Sequence, residues 1–205
     1  MSRLNITYHP NYDIPVPMNH RFVGTKFSDL FSYLQTQTYF SKCKVTQPQS
    51  APRERLIRSH SEIYIEKISN ESLTNEELKK INLPWSRRLR DRSFLAIEGT
   101  YQAARKSLEY GIACHVGGGT HHAHYEYGFG FCVFNDLAYT AINLIEEGHV
   151  KSVLILDVDV HQGDGTIDIC QNFPSIYTCS IHSESNFPFE KKKGWLDVSI
   201  PAGSK

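Results

Sequence analysis

The segment at 152–156, with the sequence SVLIL, restricts the possible folds of this chain more than any other segment. It is apolar at nearly every position, which is typical of a strand buried on both faces of a parallel sheet. Helical patterns lie on either side of it, over 134–147 and 166–171, and further strand patterns follow at 176–181 and 195–200. Strands that alternate with helices predict an α/β fold. We therefore expect a doubly wound, mainly parallel sheet with helices on both faces.

The N-terminal half of the chain shows the same alternation. One strand pattern lies at 4–8 and another at 112–116. The helical patterns between them cover 27–34, 61–68, the segment from Thr74, and 88–110. No internal repeat, low-complexity tract or linker divides the chain, so we expect residues 1–205 to form a single domain.

Composition excludes several kinds of partner. Hydrophobic residues make up 40% of the 205 residues, which is typical of a globular rather than a disordered chain. Lys plus Arg and Asp plus Glu both number 22, and a net charge of zero gives no overall attraction to nucleic acid or to an anionic membrane. No apolar run approaches the roughly 18 residues of a membrane span. We expect no direct nucleic-acid partner and no membrane.

The N-terminus and the cysteines favour a cytoplasmic location. The first residues, MSRLNITYHPNYD, lack the apolar core of a secretory signal. The five cysteines are odd in number and scattered, without a CxxC pair. In a chain without a signal peptide, that pattern predicts reduced thiols, most of them buried.

Asp157, Asp159 and His161 follow the apolar strand directly, within the sequence DVDVHQGD. If the strand continues through Asp157, its period of two places these three side chains on one side. The carboxylates would repel each other there, and a bound cation would remove that cost. Carboxylate oxygen and imidazole nitrogen are ordinary zinc ligands. The cluster favours a metal site over the alternative of a hydrogen-bond network that caps neighbouring loops.

A second cluster, GGGTHH, ends in the adjacent histidines His121 and His122. Both clusters follow strands, and the loops at the carboxyl ends of strands carry the function of open α/β sheets. Asp157 and Asp164 could each hydrogen-bond one of the two histidines, which would orient the ring and raise its basicity. One metal and two oriented imidazoles predict a metal-assisted hydrolase. Taken alone, the histidines are equally consistent with a surface pair or a metal clip.

Three motifs resemble successive motifs of the zinc-dependent histone deacetylase family. They are GGGTHH at 117–122, GFCVFND at 130–136 and DVDVHQGD at 157–164. LPWS at 83–86 and glutamine at position 162 are more similar to class IV members and their bacterial relatives. The resemblance covers nearly the whole chain, is most specific from Gly117 onward, and implies the arginase/deacetylase fold.

The resemblance implies an acid–base pair and a reaction. His121 and His122 would be the pair, with Asp157 orienting the first histidine and Asp164 the second. Zinc would polarise the amide carbonyl and its bound water, and His122 would take the water proton. One histidine of the pair would then protonate the departing amine, and acetate would leave. The substrate would be an acetylated lysine in a protein or an acetylated small amine such as a polyamine.

The resemblance also implies binding sites. Asp159 and His161 would be ligands of one zinc ion per chain. Gly130 and Phe131 would line a tunnel for the acyl-lysine side chain, with Phe131 packing on its methylene groups. The implied potassium site comprises Asp157, Asp159, His161 and Ser180.

The same resemblance implies a domain that is incomplete at its C-terminus. In the family, a third zinc ligand, an aspartate, and a tyrosine that stabilises the oxyanion lie in the last third of the domain, and this sequence offers no match for either. Three functions therefore stay open. They are a zinc deacetylase, a catalytically inert protein that binds a metal or a partner, and another metal hydrolase such as an arginase-like enzyme. The third would need a second Asp-rich motif for a dinuclear manganese site, and none is visible.

Overall fold

The computed structural model describes residues 4–204, in which strands and helices alternate along the chain. The strands are β1 (Asn5–Thr7), β2 (Lys44–Thr46), β3 (Ala113–His115), β4 (Val153–Asp157), β5 (Ile176–Ser183) and β6 (Leu196–Ile200). The helices are α1 (Lys26–Gln35), α2 (Arg53–Leu56), α3 (Glu62–Ser69), α4 (Asn75–Ile81), α5 (Arg87–Tyr110), α6 (Asp136–Glu146) and α7 (Asp164–Cys170). Short 3-10 helices lie at Pro10–Tyr12 and Thr38–Lys42.

Every strand pairing within these residues is parallel, which confirms the predicted α/β fold. The strands form two three-stranded sheets, with orders β2-β1-β3 and β4-β5-β6, where we expected one sheet. Within the described part of the chain, β3 and β4 each pair on one side only. The single-domain organisation stays a prediction.

Strand β4 is buried on one face only, so the expectation of burial on both faces is wrong. Ile155 packs in an apolar cluster with residues of α6 and α7 and is 8% exposed. Leu154 and Leu156 point to the opposite face and are 60% and 59% exposed. Among residues 4–204, no element covers that face. Apolar composition alone does not reveal which neighbours a strand has.

The long helix α5 connects the two halves of the fold, since it packs against β1, β3 and α6. The Ser86 hydroxyl accepts a hydrogen bond from the Leu89 main-chain N–H at its start, and Gly111 ends it with φ of 87°. Thr74 and Glu77 form a reciprocal capping pair at the start of α4. Both helices hold the segment that follows β3, since the Lys80 carbonyl accepts a hydrogen bond from the Gly130 main-chain N–H and Arg92 donates to the Gly117 carbonyl.

The described residues also bear on the cysteines and on membrane spans. All five cysteines are free, and Cys132, Cys170 and Cys179 are buried. Within residues 4–204, no helix combines the length and apolar character needed to cross a membrane.

Candidate active site

Two adjacent histidines each face a carboxylate at the ends of β3 and β4. His121 Nδ1 lies 2.6 Å from Asp157 Oδ2, and His122 Nδ1 lies 2.6 Å from Asp164 Oδ1. The two imidazole rings are 4.0 Å apart between centroids. The pairings expected from the sequence are therefore present as hydrogen bonds. The catalytic roles of the four residues stay predictions.

Strand and helix ends position the two carboxylates. Asp157 is the last residue of β4, and Asp164 is the first residue of α7. Gly163 directly precedes Asp164, and a side chain at Gly163 would collide with the Asp157 carboxylate. The short link between β4 and α7 thus brings both carboxylates to one pair of histidines.

Asp136, in the first turn of α6, holds the loop that carries the histidines. Its carboxylate accepts hydrogen bonds from the main-chain N–H groups of Gly119, at 3.0 Å, and Thr120, at 2.7 Å. It also accepts hydrogen bonds from the hydroxyls of Thr120 and Thr100. Gly119 has φ of 85°, a conformation that favours glycine. No role was expected for Asp136 from the sequence, although it belongs to the GFCVFND motif.

The surroundings shift the pKa values of the two histidines in opposite directions. Burial opposes a charged ring at His121, but the hydrogen bond and charge of Asp157 raise its pKa. Burial lowers the pKa of His122, and the neighbouring His121 adds to that effect despite the bond to Asp164. The surroundings thus favour the charged form more at His121 than at His122. A neutral imidazole accepts a proton, whereas a charged one donates a proton.

Strand β4 runs through Asp157 and ends there, so Asp159 and His161 lie in a bend after the strand, and its period of two does not position them. The main-chain N–H of Asp159 donates to Asp157 Oδ1 at 3.0 Å, and that of His161 donates to Asp159 Oδ1 at 2.8 Å. These side-chain acceptors bend the backbone out of the extended conformation. The turn still brings both side chains to the histidines, since Asp159 Oδ1 lies 3.9 Å from His121 Nε2.

Asp159 and His161 fit a zinc ion as part of its ligand set. Their side chains are 50% and 35% exposed, and His161 Nδ1 lies 3.1 Å from Asp159 Oδ1. An accessible carboxylate beside an accessible imidazole is ordinary zinc chemistry. Within residues 4–204, no group of three or more His, Cys, Asp or Glu side chains is arranged to hold a metal ion. The described residues therefore offer two ligands.

The residues of the implied potassium site are only partly together. Asp157 and Ser180 are paired across β4 and β5. Ser180 Oγ lies 3.0 Å from His182 Nδ1 and accepts a hydrogen bond from the Gly163 main-chain N–H at 3.4 Å. Asp159 and His161 lie in the turn beyond the strand, and the potassium ion stays a prediction.

Gly130, Phe131 and Phe187 lie near the histidines or next to residues that do, and the tunnel role of Gly130 and Phe131 stays a prediction. Gly130 lies directly against the His122 ring, and a side chain there would contact it. The ring of Phe131 packs against the rings of Phe22 and His20, with 5.8 Å between the centroids in each pair. The phenylalanine ring nearest His122 is that of Phe187, at 4.9 Å between centroids. Sequence reasoning missed Phe187, because its only signal is an aromatic residue in a loop.

Comparison with known proteins finds, over most of the chain, the family that the three sequence motifs resemble. The sequence profile of the histone deacetylase domain matches residues 20–199. An uncharacterized protein of Picosynechococcus sp. is 40% identical over 198 residues, which cover 97% of this chain and 66% of that protein. Histone deacetylase 2 of Arabidopsis thaliana is 25% identical, over 98% of this chain and 54% of that protein. Acetoin utilization protein AcuC of Staphylococcus aureus is 32% identical, over 71% of this chain and 40% of that protein.

A solved structure shares the fold. The crystal structure of the HDA15 HD domain superimposes with a TM-score of 0.78 at 18% sequence identity. The match covers 98% of this chain and 62% of that chain. The chain thus spans between 40% and 66% of the length of these curated relatives.

Proposed function

The chain belongs to the histone deacetylase family, and from that premise we propose that it is a zinc-dependent amide hydrolase that removes acetyl groups from lysine side chains. The paired hydrogen bonds His121–Asp157 and His122–Asp164 carry this proposal. Two oriented imidazoles at the end of a parallel strand are suited to general acid–base chemistry. The substrate is an acetylated lysine in a protein or an acetylated small amine.

The two histidines divide the proton transfers. Because each Nδ1 faces a carboxylate, Nδ1 carries the ring proton and Nε2 is directed away from the carboxylate. His122, whose pKa is lowered, is the base, and its Nε2 takes the proton from the attacking water. His121, whose pKa is raised, holds a proton for the departing amine.

Asp159 and His161 would hold the zinc ion, and the family's potassium ion would lie at Asp157, Asp159, His161 and Ser180. When bound, zinc polarises the amide carbonyl and lowers the pKa of its bound water. Phe187 and Gly130 close one side of His122 and keep bulk water from that ring. The proposal includes a cytoplasmic location and no direct partner among nucleic acids or membranes.

Hydrolysis of an acetyl-lysine peptide and of an acetylated polyamine, with and without a zinc chelator, tests the proposal. We expect turnover of at least one substrate, its loss on chelation, and its recovery when zinc is restored. No turnover from folded, zinc-bound protein would contradict the proposal and favour a role in metal or partner binding. Turnover that resists chelation would contradict the zinc dependence.

A further inference from the structure

His124 connects the His122–Asp164 pair to the surface of the protein. Its Nε2 lies 3.2 Å from Asp164 Oδ2, the carboxylate oxygen that does not face His122. Its Nδ1 lies 2.9 Å from Asp168 Oδ2, and Asp168 Oδ1 accepts a hydrogen bond from Lys192 Nζ at 2.8 Å. An unbroken series of hydrogen bonds therefore joins His122 to Lys192.

Local structure explains why one ring bridges two carboxylates. Asp164 and Asp168 lie four residues apart in α7, so the helix presents both on one face. His124 reaches them from the loop after β3, and it is 3% exposed. Its ring is stacked on Tyr127, with 4.5 Å between the centroids. The ring is thus enclosed, and each of its nitrogens has a carboxylate partner.

These contacts determine the charge of His124. A neutral imidazole has one N–H, so hydrogen bonds from both nitrogens to carboxylates require a doubly protonated ring. Burial opposes that charge, yet the bonds to Asp164 and Asp168 hold the pKa of His124 above its ordinary value. The imidazolium lies between the two carboxylates, and Lys192 neutralises the outer one. The buried charge of Asp164 is thereby compensated.

We propose that His124 is a positioning residue of this site. Its hydrogen bond to Asp164 Oδ2 keeps Asp164 Oδ1 directed at His122 Nδ1. The inference rests on the proposed function and deepens it. Asp157 is held differently, because its second oxygen accepts a hydrogen bond from the main-chain N–H of Asp159. Of the two pairs, the His122–Asp164 pair is the one whose carboxylate also bonds to a charged side chain.

The main chain at His124 is held independently of its ring. Its N–H donates to the Tyr127 carbonyl at 2.9 Å, and its carbonyl lies 3.0 Å from His60 Nδ1. Replacing the ring should therefore remove the grip on Asp164 and leave the path of the loop in place.

The experiment compares His124→Ala and His124→Gln with His149→Ala. His149 is a matched control, because it is also a histidine beside a carboxylate, 3.5 Å from Glu147, but follows the far end of α6. One readout is kcat and KM for an acetyl-lysine peptide. The other is the downfield proton resonance of the His122 Nδ1–H, assigned by its loss in His122→Phe.

We expect His124→Ala to lower kcat about 10- to 100-fold with little change in KM, the usual cost of removing a residue that orients a functional group. The His122 resonance should shift upfield or vanish. His124→Gln supplies one donor for Asp164 and should recover part of kcat. His149→Ala should change neither readout.

Wild-type kcat together with an unchanged resonance in His124→Ala would overturn the inference. A fall in kcat with an unchanged resonance would also overturn it, since the ring would then act elsewhere. If the wild-type chain shows no turnover, the proposed function fails, but the resonance still decides: its loss in His124→Ala supports positioning, and its persistence contradicts it.

Discussion

The two His–Asp pairs have the same hydrogen-bond length and different surroundings. In each pair, a histidine Nδ1 lies 2.6 Å from a carboxylate oxygen. The second oxygen of Asp157 takes a main-chain N–H, whereas that of Asp164 faces His124. The pKa of His121 is raised and that of His122 is lowered. Two His–Asp pairs with equal hydrogen-bond lengths therefore differ in what lies behind the carboxylate.

The largest expected effect distinguishes the two histidines by activity. His122→Ala should reduce turnover about 100- to 10,000-fold, because the neutral base is lost. His121→Ala should cost less, since water can supply a proton to the amine in place of the charged ring. Both variants should retain zinc, because neither removes Asp159 or His161. Steady-state kinetics with metal analysis checks this, and a larger loss at His121 would reverse the assignment.

A second prediction compares the two carboxylates by stability. Asp164→Ala leaves the buried ring of His122 without its carboxylate and that of His124 with Asp168 alone, which should cost about 3–5 kcal/mol of unfolding free energy. Asp157→Ala removes the hydrogen-bond acceptor of His121 and of the main-chain N–H of the half-exposed Asp159. We therefore expect a smaller loss of unfolding free energy, about 1.5–3 kcal/mol. Urea unfolding of both variants measures the difference. Equal losses would mean that His124 adds nothing to the second pair.

A third prediction concerns the pH dependence of stability, which we expect His60 to influence. His60 is fully buried, accepts a hydrogen bond from the Asn135 main-chain N–H, and has its pKa lowered by burial to about 4. As the pH falls, His60 therefore becomes protonated in the unfolded chain before it does so in the folded protein. The unfolding free energy should fall by about 3 kcal/mol as the pH drops from about 6.5 to 4. Urea unfolding across this range provides the measurement.

The control for that prediction is His60→Gln, which keeps a donor and an acceptor but does not titrate. It should be less stable than wild type at neutral pH and lose less stability in acid. The same slope in both proteins would place the acid sensitivity at another group. Asp164, whose pKa hydrogen bonds from His122 and His124 lower to about 2 against the effect of burial, should stay ionised throughout.

The smallest expected effect concerns the aromatic ring beside the His122 pair. Phe187→Ala should raise KM for an acetyl-lysine peptide about 2- to 10-fold, because the Phe187 ring lies near His122. Phe131→Ala should affect stability more than KM, because the Phe131 ring packs on Phe22. A larger KM effect at Phe131 would instead favour the tunnel role expected from the sequence.

Much of the fold was predictable because its signals are local. Thr74 with Glu77 and Gly111 mark helix ends through contacts within a few residues. Strand β2 and helix α2 were missed, because three or four residues carry too little periodicity to be recognised. The burial of β4 was misjudged for a different reason. Which face is covered depends on α6 and α7, and not on the apolar run itself.

The candidate site was predictable where a motif names the partners, and not beyond. The pairing of His121 with Asp157 spans 36 positions and was still expected, because both residues lie in motifs. His124 lies 44 positions from Asp168, and nothing in the sequence links the two. Phe187 comes to His122 from a loop after β5. Such contacts arise from the packing of α7 and the loops against each other.

We propose that Asp159 and His161 bind the metal that serves the two His–Asp pairs. Zinc stoichiometry and acetyl-lysine hydrolysis, measured in the same preparations of wild type and Asp159→Ala, test this most directly. We expect zinc and chelator-sensitive turnover in wild type, and neither in the variant, because one of two assigned ligands is lost. Unchanged zinc stoichiometry in folded Asp159→Ala would contradict it.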